Sequence, residues 1–278
     1  MSDIALIGVP AFRSSISPTG AYATPAAVRE ALMRYSTLAG SRGIDLAGLT
    51  AIDLGDIHDP DGPAGEERVR AAVAAASGNH RLIIALGGDN SITYPVMRGA
   101  AVDRLTEWGL VTVDAHHDLR DGVSNGSPMR RLLEAGLPGT SVVQVGIADF
   151  ANSSAYATRA VEHGITVVPR GALRGRPMAD VASEALAVAG HGGRHVYVDL
   201  DVDACDRAAV PGCPAAAPGG ITADELRQLA YAFACDARVR AIDITEVDAL
   251  ADAPDERTVR LAALLVLEIA AGLAARGR

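Results

Sequence analysis

The sequence predicts an α/β fold in which a parallel sheet is covered by helices on both faces. Short apolar runs with the composition of buried strands alternate with segments that have helical spacing from end to end. Such alternation is typical of βαβ units. A closed (β/α)8 barrel contains the same elements, and alternation alone does not exclude it. No fixed-period repeat and no low-complexity linker is present, so we expect a single domain over residues 1–278.

The elements are predicted in chain order from these runs. The predicted strands are 4–9, 51–54, 82–86, 110–114, 141–145, 165–168, 195–199 and 241–244. The predicted helices include 24–35, 66–76, 179–189, 223–233 and 257–275. Thr222 and Glu225 form a capping-box pattern at the start of one helix. Another helix is expected to begin near Pro128, because proline fits the first helical turn.

The composition excludes several classes of function. The chain is 49% hydrophobic but only 4% aromatic, so its core must consist of small aliphatic side chains. A formal net charge of −9 without any basic block argues against a nucleic-acid partner. The amino terminus lacks the pattern of a signal peptide, and Glu268 interrupts the longest apolar run, so no membrane partner is expected. Three cysteines without metal-type spacing predict reduced thiols in a cytoplasmic protein.

Two acidic clusters, Asp114-Ala-His-His-Asp118 and Asp199-Leu-Asp-Val-Asp203, lie at the ends of two predicted strands. In an open α/β sheet, ligands bind at the carboxyl ends of the strands. Residues two apart in an extended chain point to the same side, so each cluster presents several polar side chains together. His117 would then point away as a structural or solvent-facing residue. We therefore expect several carboxylates and one imidazole in a small volume.

Carboxylates packed this closely repel one another and need a cation to hold them. Oxygen-rich ligation with one imidazole suits Mn²⁺ or Mg²⁺, and the lack of a cysteine ligand makes a structural zinc site improbable. Two ions that share carboxylates lower the pKa of a bound water and so supply hydroxide near neutral pH. The residues alone predict metal-assisted hydrolysis, and they do not name the substrate.

A glycine-rich turn, Gly87-Gly-Asp-Asn-Ser91, follows the third predicted strand. The glycines allow a sharp turn, and Asp89, Asn90 or Ser91 can cap the helix that follows. Alternatively, Asn90 or Asp89 faces the same crevice as the two acidic clusters. The turn by itself does not decide between these interpretations.

Taken in order, four motifs resemble the ureohydrolase family of arginase, agmatinase, guanidinobutyrase and formimidoylglutamase. The motifs are Gly87-Gly-Asp-Asn-Ser91, Asp114-Ala-His-His-Asp118, Asp201-Val-Asp203 with Pro211-Gly212 and Pro218-Gly-Gly220, and Glu246-Val-Asp248. The similarity extends over residues 4–270. The resemblance implies a three-layer α/β/α fold around an eight-stranded, mostly parallel sheet. It also implies a centre of two Mn²⁺ ions and a homo-oligomer, either a trimer or a hexamer.

The resemblance assigns six positions to the metal ions. These positions are Asn90, Asp114, His116, Asp118, Asp201 and Asp203. Asp114 and Asp201 match the carboxylates that bridge both ions. Asp118 matches a ligand of the first ion, and His116 and Asp203 match ligands of the second.

Counting back from Pro211-Gly212 fixes the register of the second cluster, so Asp199 stays outside the metal shell. Glu246 matches the acid that pairs with the cationic guanidinium or formimino nitrogen of the substrate. Two positions depart from the family. Asn90 stands where the family has a histidine ligand, which predicts weaker or different binding of the first ion. Asn125 stands where arginase and agmatinase place a proton-shuttling histidine.

The loop after the first acidic cluster narrows the range of candidate substrates. Arg120 and residues 126–130 are more similar to formimidoylglutamase than to arginase, as is the Pro/Gly loop at 211–220. Arg120 is suited to holding a substrate carboxylate with two hydrogen bonds. The alternative is that Arg120 pairs with Asp121 or Asp118 and has no contact with substrate.

The sequence therefore predicts an enzyme that hydrolyses N-formimidoyl-L-glutamate to L-glutamate and formamide. Its predicted catalytic residues are Asp118 and Glu246, and its predicted substrate-binding residues are Arg120, Asn125 and Glu246. Two alternatives remain open at this point. The substrate is a guanidino compound and urea is released, or the loss of two imidazoles at Asn90 and Asn125 has left a non-catalytic member of the family.

Overall fold

The computed structural model describes residues 2–276, and its centre is a sheet of eight parallel strands. Their bounds are β1 Ile4–Val9, β4 Ala51–Asp56, β5 Leu82–Gly87, β6 Trp108–Val113, β7 Val142–Ile147, β8 Thr166–Pro169, β9 His195–Asp201 and β10 Val239–Thr245. A short antiparallel hairpin, β2 Leu38–Ala39 and β3 Ile44–Asp45, is separate from this sheet. The strand order is β4-β1-β5-β10-β9-β6-β7-β8. The sheet is open, with β4 and β8 at its edges, so the barrel is excluded.

Helices cover both faces of the sheet. Their bounds are α1 Thr24–Leu32, α2 Gly62–Ala76, α3 Thr93–Ala100, α4 Pro128–Glu134, α5 Ser154–Glu162, α6 Met178–Ala189, α7 Ala223–Cys235 and α8 Arg257–Ala275. One apolar core joins the sheet to α1, α6, α7 and α8, and a second joins it to α2, α3, α4 and α5. The three-layer α/β/α prediction is confirmed.

Each of the eight predicted strands corresponds to a strand of the sheet, with ends that differ by a few residues. The largest consequence is at β6, which ends at Val113, so Asp114 is the first residue beyond the strand. The capping box at Thr222 and Glu225 is present. The helix α3 is the one expected after the glycine-rich turn, although its bounds were not predicted, and α5 and the small hairpin were not among the predicted elements.

The carboxy-terminal helix α8 is long and apolar enough to cross a membrane by length and composition, but 72% of its apolar window is buried inside the protein. It packs against α7 and α1. Its one acid, Glu268, forms ion pairs with Arg42 at 2.8 Å and Arg227 at 2.7 Å. Burial and charge pairing of this kind characterise a helix of the protein core.

The strand order explains why the four motifs meet. The strands β5, β10, β9 and β6 are consecutive neighbours in the middle of the sheet, and they all run in the same direction. Their carboxyl ends therefore lie side by side along one edge. The glycine-rich turn, the two acidic clusters and Glu246 each follow one of these strands, so the fold brings them to one place.

Candidate metal centre and active site

A pocket at the carboxyl edge of the central strands contains nearly every residue that the sequence selected. Eight of them line it: Asn90, His116, Asp118, Arg120, Asn125, Asp201, Asp203 and Glu246. Asp114 lies beneath this surface and is 1% exposed. Its carboxylate, the imidazole of His116 and the carboxylate of Asp203 have ligand atoms within 4.8 Å of one another.

The second acidic cluster and His116 are joined by short hydrogen bonds. His116 Nδ1 lies 2.7 Å from Asp203 Oδ2 and 3.6 Å from Asp114 Oδ1. The backbone N–H of Ala115 donates to Asp203 Oδ1 at 3.0 Å, and that of Asp203 donates to Asp201 Oδ1 at 2.8 Å. These bonds fix the directions of the carboxylates and leave further lone pairs toward the pocket.

The buried acids of the cluster repel one another and are stabilised by positive charge. Burial raises the pKa of Asp114 and of Asp201 well above the ordinary value, and the charges of neighbouring carboxylates raise it further. Burial lowers the pKa of His116, but hydrogen bonds to Asp114 and Asp203 outweigh this effect and raise it to about 12. Buried acids that attract a proton this strongly attract a metal cation in the same way. The donor set, oxygen-rich with one imidazole, fits Mn²⁺ or Mg²⁺.

Asp118 and Glu246 both have left-handed backbone conformations, with φ of 53° and 62°. Non-glycine residues in this region are strained and concentrate at functional sites. At Asp118 the chain has already left the strand geometry, and the turn directs this carboxylate toward Asn90. Burial raises the pKa of Asp118 to about 7 and that of Glu246 to about 8.

Asn125 connects a loop near the amino terminus to Glu246. Its backbone N–H donates to Ser14 O at 3.2 Å, and its Oδ1 accepts from the N–H of Ile16 at 3.0 Å. Its Nδ2 donates to Glu246 Oε1 at 2.9 Å. Asn125 thus lies beside the acid that is predicted to contact substrate, and it also holds the loop that forms one wall of the pocket.

Arg120 extends into the pocket above the ring of Tyr156, with its guanidinium carbon 5.9 Å from the ring centroid. Asp121 pairs instead with Arg159, at 3.1 Å. Within residues 2–276, Arg120 forms no ion pair. Arg120 is therefore not paired with Asp121, although its charge acts on the buried Asp118 and lowers the pKa of that carboxyl against the larger effect of burial.

Two residues that the sequence analysis did not select hold the first acidic cluster in place. Asn152 Oδ1 accepts from the N–H of His117, and its Nδ2 donates to Ala115 O, each at 2.9 Å. Gln144 Oε1 lies 2.6 Å from His117 Nδ1, and Gln144 Nε2 donates to His117 O at 3.0 Å. His117 is buried and points away from the pocket. Gln144 is the one polar side chain in β7, and this departure from an apolar run is the signal that could have identified it.

The comparison with known proteins identifies the family. The sequence profile of the arginase family matches residues 2–272. The chain belongs to the arginase family. The formimidoylglutamase of Halalkalibacterium halodurans is 38% identical to it over 276 residues, which cover 96% of this chain and 86% of the relative.

Arginase-family proteins of known structure have the same fold. The formimidoylglutamase of Bacillus subtilis superposes with a TM-score of 0.93 and 33% identity, covering 100% of this chain and 89% of that protein. A formiminoglutamase of Trypanosoma cruzi, solved with Mn²⁺, gives a TM-score of 0.92 at 24% identity and covers 99% and 94% of the two chains. At that identity the second likeness supports the fold alone. The resemblance to ureohydrolases, nearest to formimidoylglutamase, is confirmed.

Proposed function

We propose that this arginase-family hydrolase converts N-formimidoyl-L-glutamate and water to L-glutamate and formamide. Relatives that bear the name formimidoylglutamase match almost the whole chain. The observation that carries the proposal is the composition of the pocket. A buried acid, Glu246, suits the cationic formimino end of the substrate, and the guanidinium of Arg120, which lines the same pocket, suits a carboxylate end.

We propose Mn²⁺ as the cofactor, with two ions held by the six positions that the family resemblance assigns. The donor chemistry and the charge demand of the buried acids support this choice over a softer metal. When bound, the ions supply Lewis acidity and hydroxide near neutral pH. The remaining chemistry belongs to the side chains of the chain itself.

Glu246 and Arg120 orient the substrate because they carry opposite charges and each binds the oppositely charged end of the substrate. The carboxylate of Glu246 pairs with the formamidinium group, and Asn125 holds that carboxylate through its amide nitrogen. The guanidinium of Arg120 binds a substrate carboxylate in a bidentate manner, with Tyr156 beneath it. A guanidino substrate without a carboxylate gains nothing from Arg120, which favours formimidoylglutamate over agmatine.

The reaction requires two proton transfers from the attacking water to the leaving nitrogen. The water oxygen adds to the carbon of the formamidinium cation, the bond from that carbon to the glutamate nitrogen breaks, and the products are formamide and glutamate with its ammonium group. Asp118 accepts the first proton from water and returns it to the leaving nitrogen, and the hydroxyl proton of the tetrahedral intermediate follows as the C–N bond breaks.

A product assay on the manganese-loaded protein tests the proposal. The panel contains formimidoylglutamate, arginine, agmatine, guanidinobutyrate and guanidinopropionate, and the products measured are formamide, ammonia and urea. We expect formamide from formimidoylglutamate alone. Urea from a guanidino compound would instead make the protein a guanidino hydrolase. Silence across the panel, without bound metal, would favour a non-catalytic family member.

Three further expectations remain predictions. We propose a homo-oligomer, a trimer or a hexamer, which light scattering after size-exclusion chromatography tests. A single domain predicts one cooperative unfolding transition in calorimetry. A cytoplasmic location is tested by fractionation of the source cells.

A further inference from the structure

The side-chain amide of Asn90 is enclosed in a buried polar network. Asn90 Oδ1 lies 2.9 Å from Thr93 Oγ1 and 3.0 Å from Thr245 Oγ1. On the other side, Asn90 Nδ2 lies 2.5 Å from Asp118 Oδ2. The exposed fractions of Asn90, Thr93 and Thr245 are 1%, 1% and 0%, so water does not supply missing partners.

Two buried acids lie behind the threonines. Thr93 Oγ1 is 2.8 Å from Asp243 Oδ2, which also accepts from the hydroxyl of Tyr197 at 2.6 Å. Thr245 Oγ1 is 3.4 Å from Asp199 Oδ1. Neither acid lines the catalytic pocket, and the mechanism above uses neither. Each of the two acids therefore contacts a threonine hydroxyl that also contacts Asn90.

The number of hydrogens on the threonine hydroxyls links the two acids to the orientation of the Asn90 amide. Each threonine hydroxyl carries one hydrogen and can accept others. Each has two oxygen neighbours, the amide of Asn90 and a carboxyl group, and it can donate to only one of them. If it donates to the carboxyl group, the amide must be the donor on the other side. An amide has nearly the same shape when its oxygen and nitrogen exchange places, so the surrounding donors and acceptors decide its orientation.

We propose that Asn90 binds the first metal position through Oδ1, with its NH₂ group donating to Thr93 and Thr245. The hydroxyls then donate to Asp243 and Asp199, and both hydrogens of the Asn90 amide have an acceptor. This inference rests on the metal centre proposed above. Thr93 and Thr245 are positioning residues, because they act through Asn90 and do not touch the metal.

The same orientation explains how asparagine serves where the family has histidine. With Oδ1 in the place of Nδ2, two oxygens of Asn90 and Asp118 face each other at short range. They repel unless a cation lies between them. A neutral amide is a weaker donor than an imidazole, and fixing it in advance removes the cost of orienting it when the ion binds.

Metal titration of the full chain tests the proposal. The protein is treated with a chelator, dialysed and titrated with Mn²⁺, and the free ion is followed by its electron paramagnetic resonance signal. We expect the wild type to bind two ions. Thr93→Val and Thr245→Val should each weaken one of the two steps about tenfold or more, because the NH₂ group of Asn90 loses a buried acceptor. Thr93→Ser should restore wild-type binding.

A matched control is available in Thr112, a buried threonine of β6 whose hydroxyl has no hydrogen-bond partner among residues 2–276. Thr112→Val should bind Mn²⁺ like the wild type. A double-mutant cycle with Asn90→His separates orientation from general packing. In the histidine background Thr93→Val should change Mn²⁺ affinity less than twofold, because no amide remains to be oriented.

Two outcomes would overturn the inference in different ways. If the valine variants bind two ions with wild-type affinity while the wild type is active, the threonines do not orient Asn90. If the wild type binds no Mn²⁺, the proposed metal centre fails and this inference fails with it. Circular dichroism checks that each variant is folded, and Thr93→Ala tests the same hydroxyl if Thr93→Val does not fold.

Discussion

Asp118 and Glu246 show how single residues at this site depend on the surrounding structure. Each combines a left-handed backbone with a buried carboxyl group, and each feature alone costs on the order of 1–3 kcal/mol. A hydrogen bond from Asn125 to Glu246 offsets part of this cost. A structural role would not require such costly placements beyond the carboxyl ends of two strands of one sheet. The geometry instead favours residues that are held ready for substrate.

Arg120 is the residue that should select a carboxylate-bearing substrate. We expect Arg120→Met to raise KM for formimidoylglutamate by roughly 10–100-fold, with a smaller effect on kcat, because a charge-assisted bidentate contact is lost. Arg120→Lys should restore only part of the affinity, since an ammonium group cannot form the planar pair. Steady-state kinetics measure both constants. An unchanged KM in Arg120→Met would mean that the guanidinium does not contact the substrate.

Glu246 should act on the cationic end of the substrate without holding metal. We expect Glu246→Gln to lower kcat/KM by roughly 10²–10³-fold, as for loss of one preorganised electrostatic contact. The Mn²⁺ content, measured by elemental analysis, should stay at the wild-type value. Glu134→Gln is the control, since Glu134 is an exposed acid that pairs with Arg130 on the surface of α4. Loss of metal in Glu246→Gln would instead place Glu246 among the ligands.

Gly88 joins three strands at the scale of the elements. Its N–H donates to Val9 O at 3.1 Å at the end of β1, and its carbonyl accepts from the N–H of Glu246 at 3.0 Å beyond β10. A Cβ at Gly88 would lie 1.9 Å from the carbonyl oxygen of Ala11. The turn after β5 therefore requires glycine because the backbone of another loop passes too close for any side chain.

Gly88→Ala should destabilise the protein and misplace Glu246 together. We expect a loss of about 1–3 kcal/mol in the free energy of unfolding, the usual range for overpacking, measured by denaturant titration. The kcat should fall as well, because the Glu246 backbone depends on the Gly88 carbonyl. Gly48→Ala is the matched control, since a Cβ there meets no atom within 4 Å. Wild-type stability in Gly88→Ala would show that the Ala11 loop moves freely.

The sequence predicts the central sheet well because the strands that hold the site are continuous apolar runs. β5 and β6 are buried along their whole length, so their composition has one interpretation. The bounds of α3 could not be predicted because Pro95 and Gly99 lower its helical propensity, and tertiary packing against α2 compensates. This packing joins residues that are distant in sequence, so it cannot be predicted from the local sequence.

Only part of the site could be predicted from the sequence. The acids and His116 could be predicted because they follow apolar runs that form buried strands, although Asp118 lies beyond the strand geometry that was expected for it. The exclusion of Asp199 depended on the family resemblance. Asn152 was missed because its contacts join a loop to the first acidic cluster across a turn, and no spacing encodes them. The orientation of an amide is likewise set by neighbours that are distant in sequence.

The whole molecule has an excess of acids, with a formal net charge of −9, and several of these acids are buried together in one site. The folded protein raises the pKa of Asp118 to about 7 and that of Glu246 to about 8. An acid with a raised pKa binds more protons in the folded state than in the unfolded state. Its contribution to stability is therefore present at low pH and is lost as the pH rises through the folded pKa.

Metal binding should reverse this loss, so the stabilisation by Mn²⁺ should grow with pH. In chelator-treated protein, the melting temperature should fall between pH 5 and pH 8 as the acids ionise against one another. At 100 times its dissociation constant, a bound ion adds about 2.7 kcal/mol, which for a chain of this size corresponds to roughly 5–10 °C. We expect that shift at pH 8 and a much smaller one at pH 5, measured by circular dichroism melts.

Asp201→Asn should abolish most of the difference between the two pH values, because it removes a carboxylate that both ions are expected to share. An equal shift at both pH values would mean that Mn²⁺ binds elsewhere, since only a cation among the buried acids relieves their repulsion.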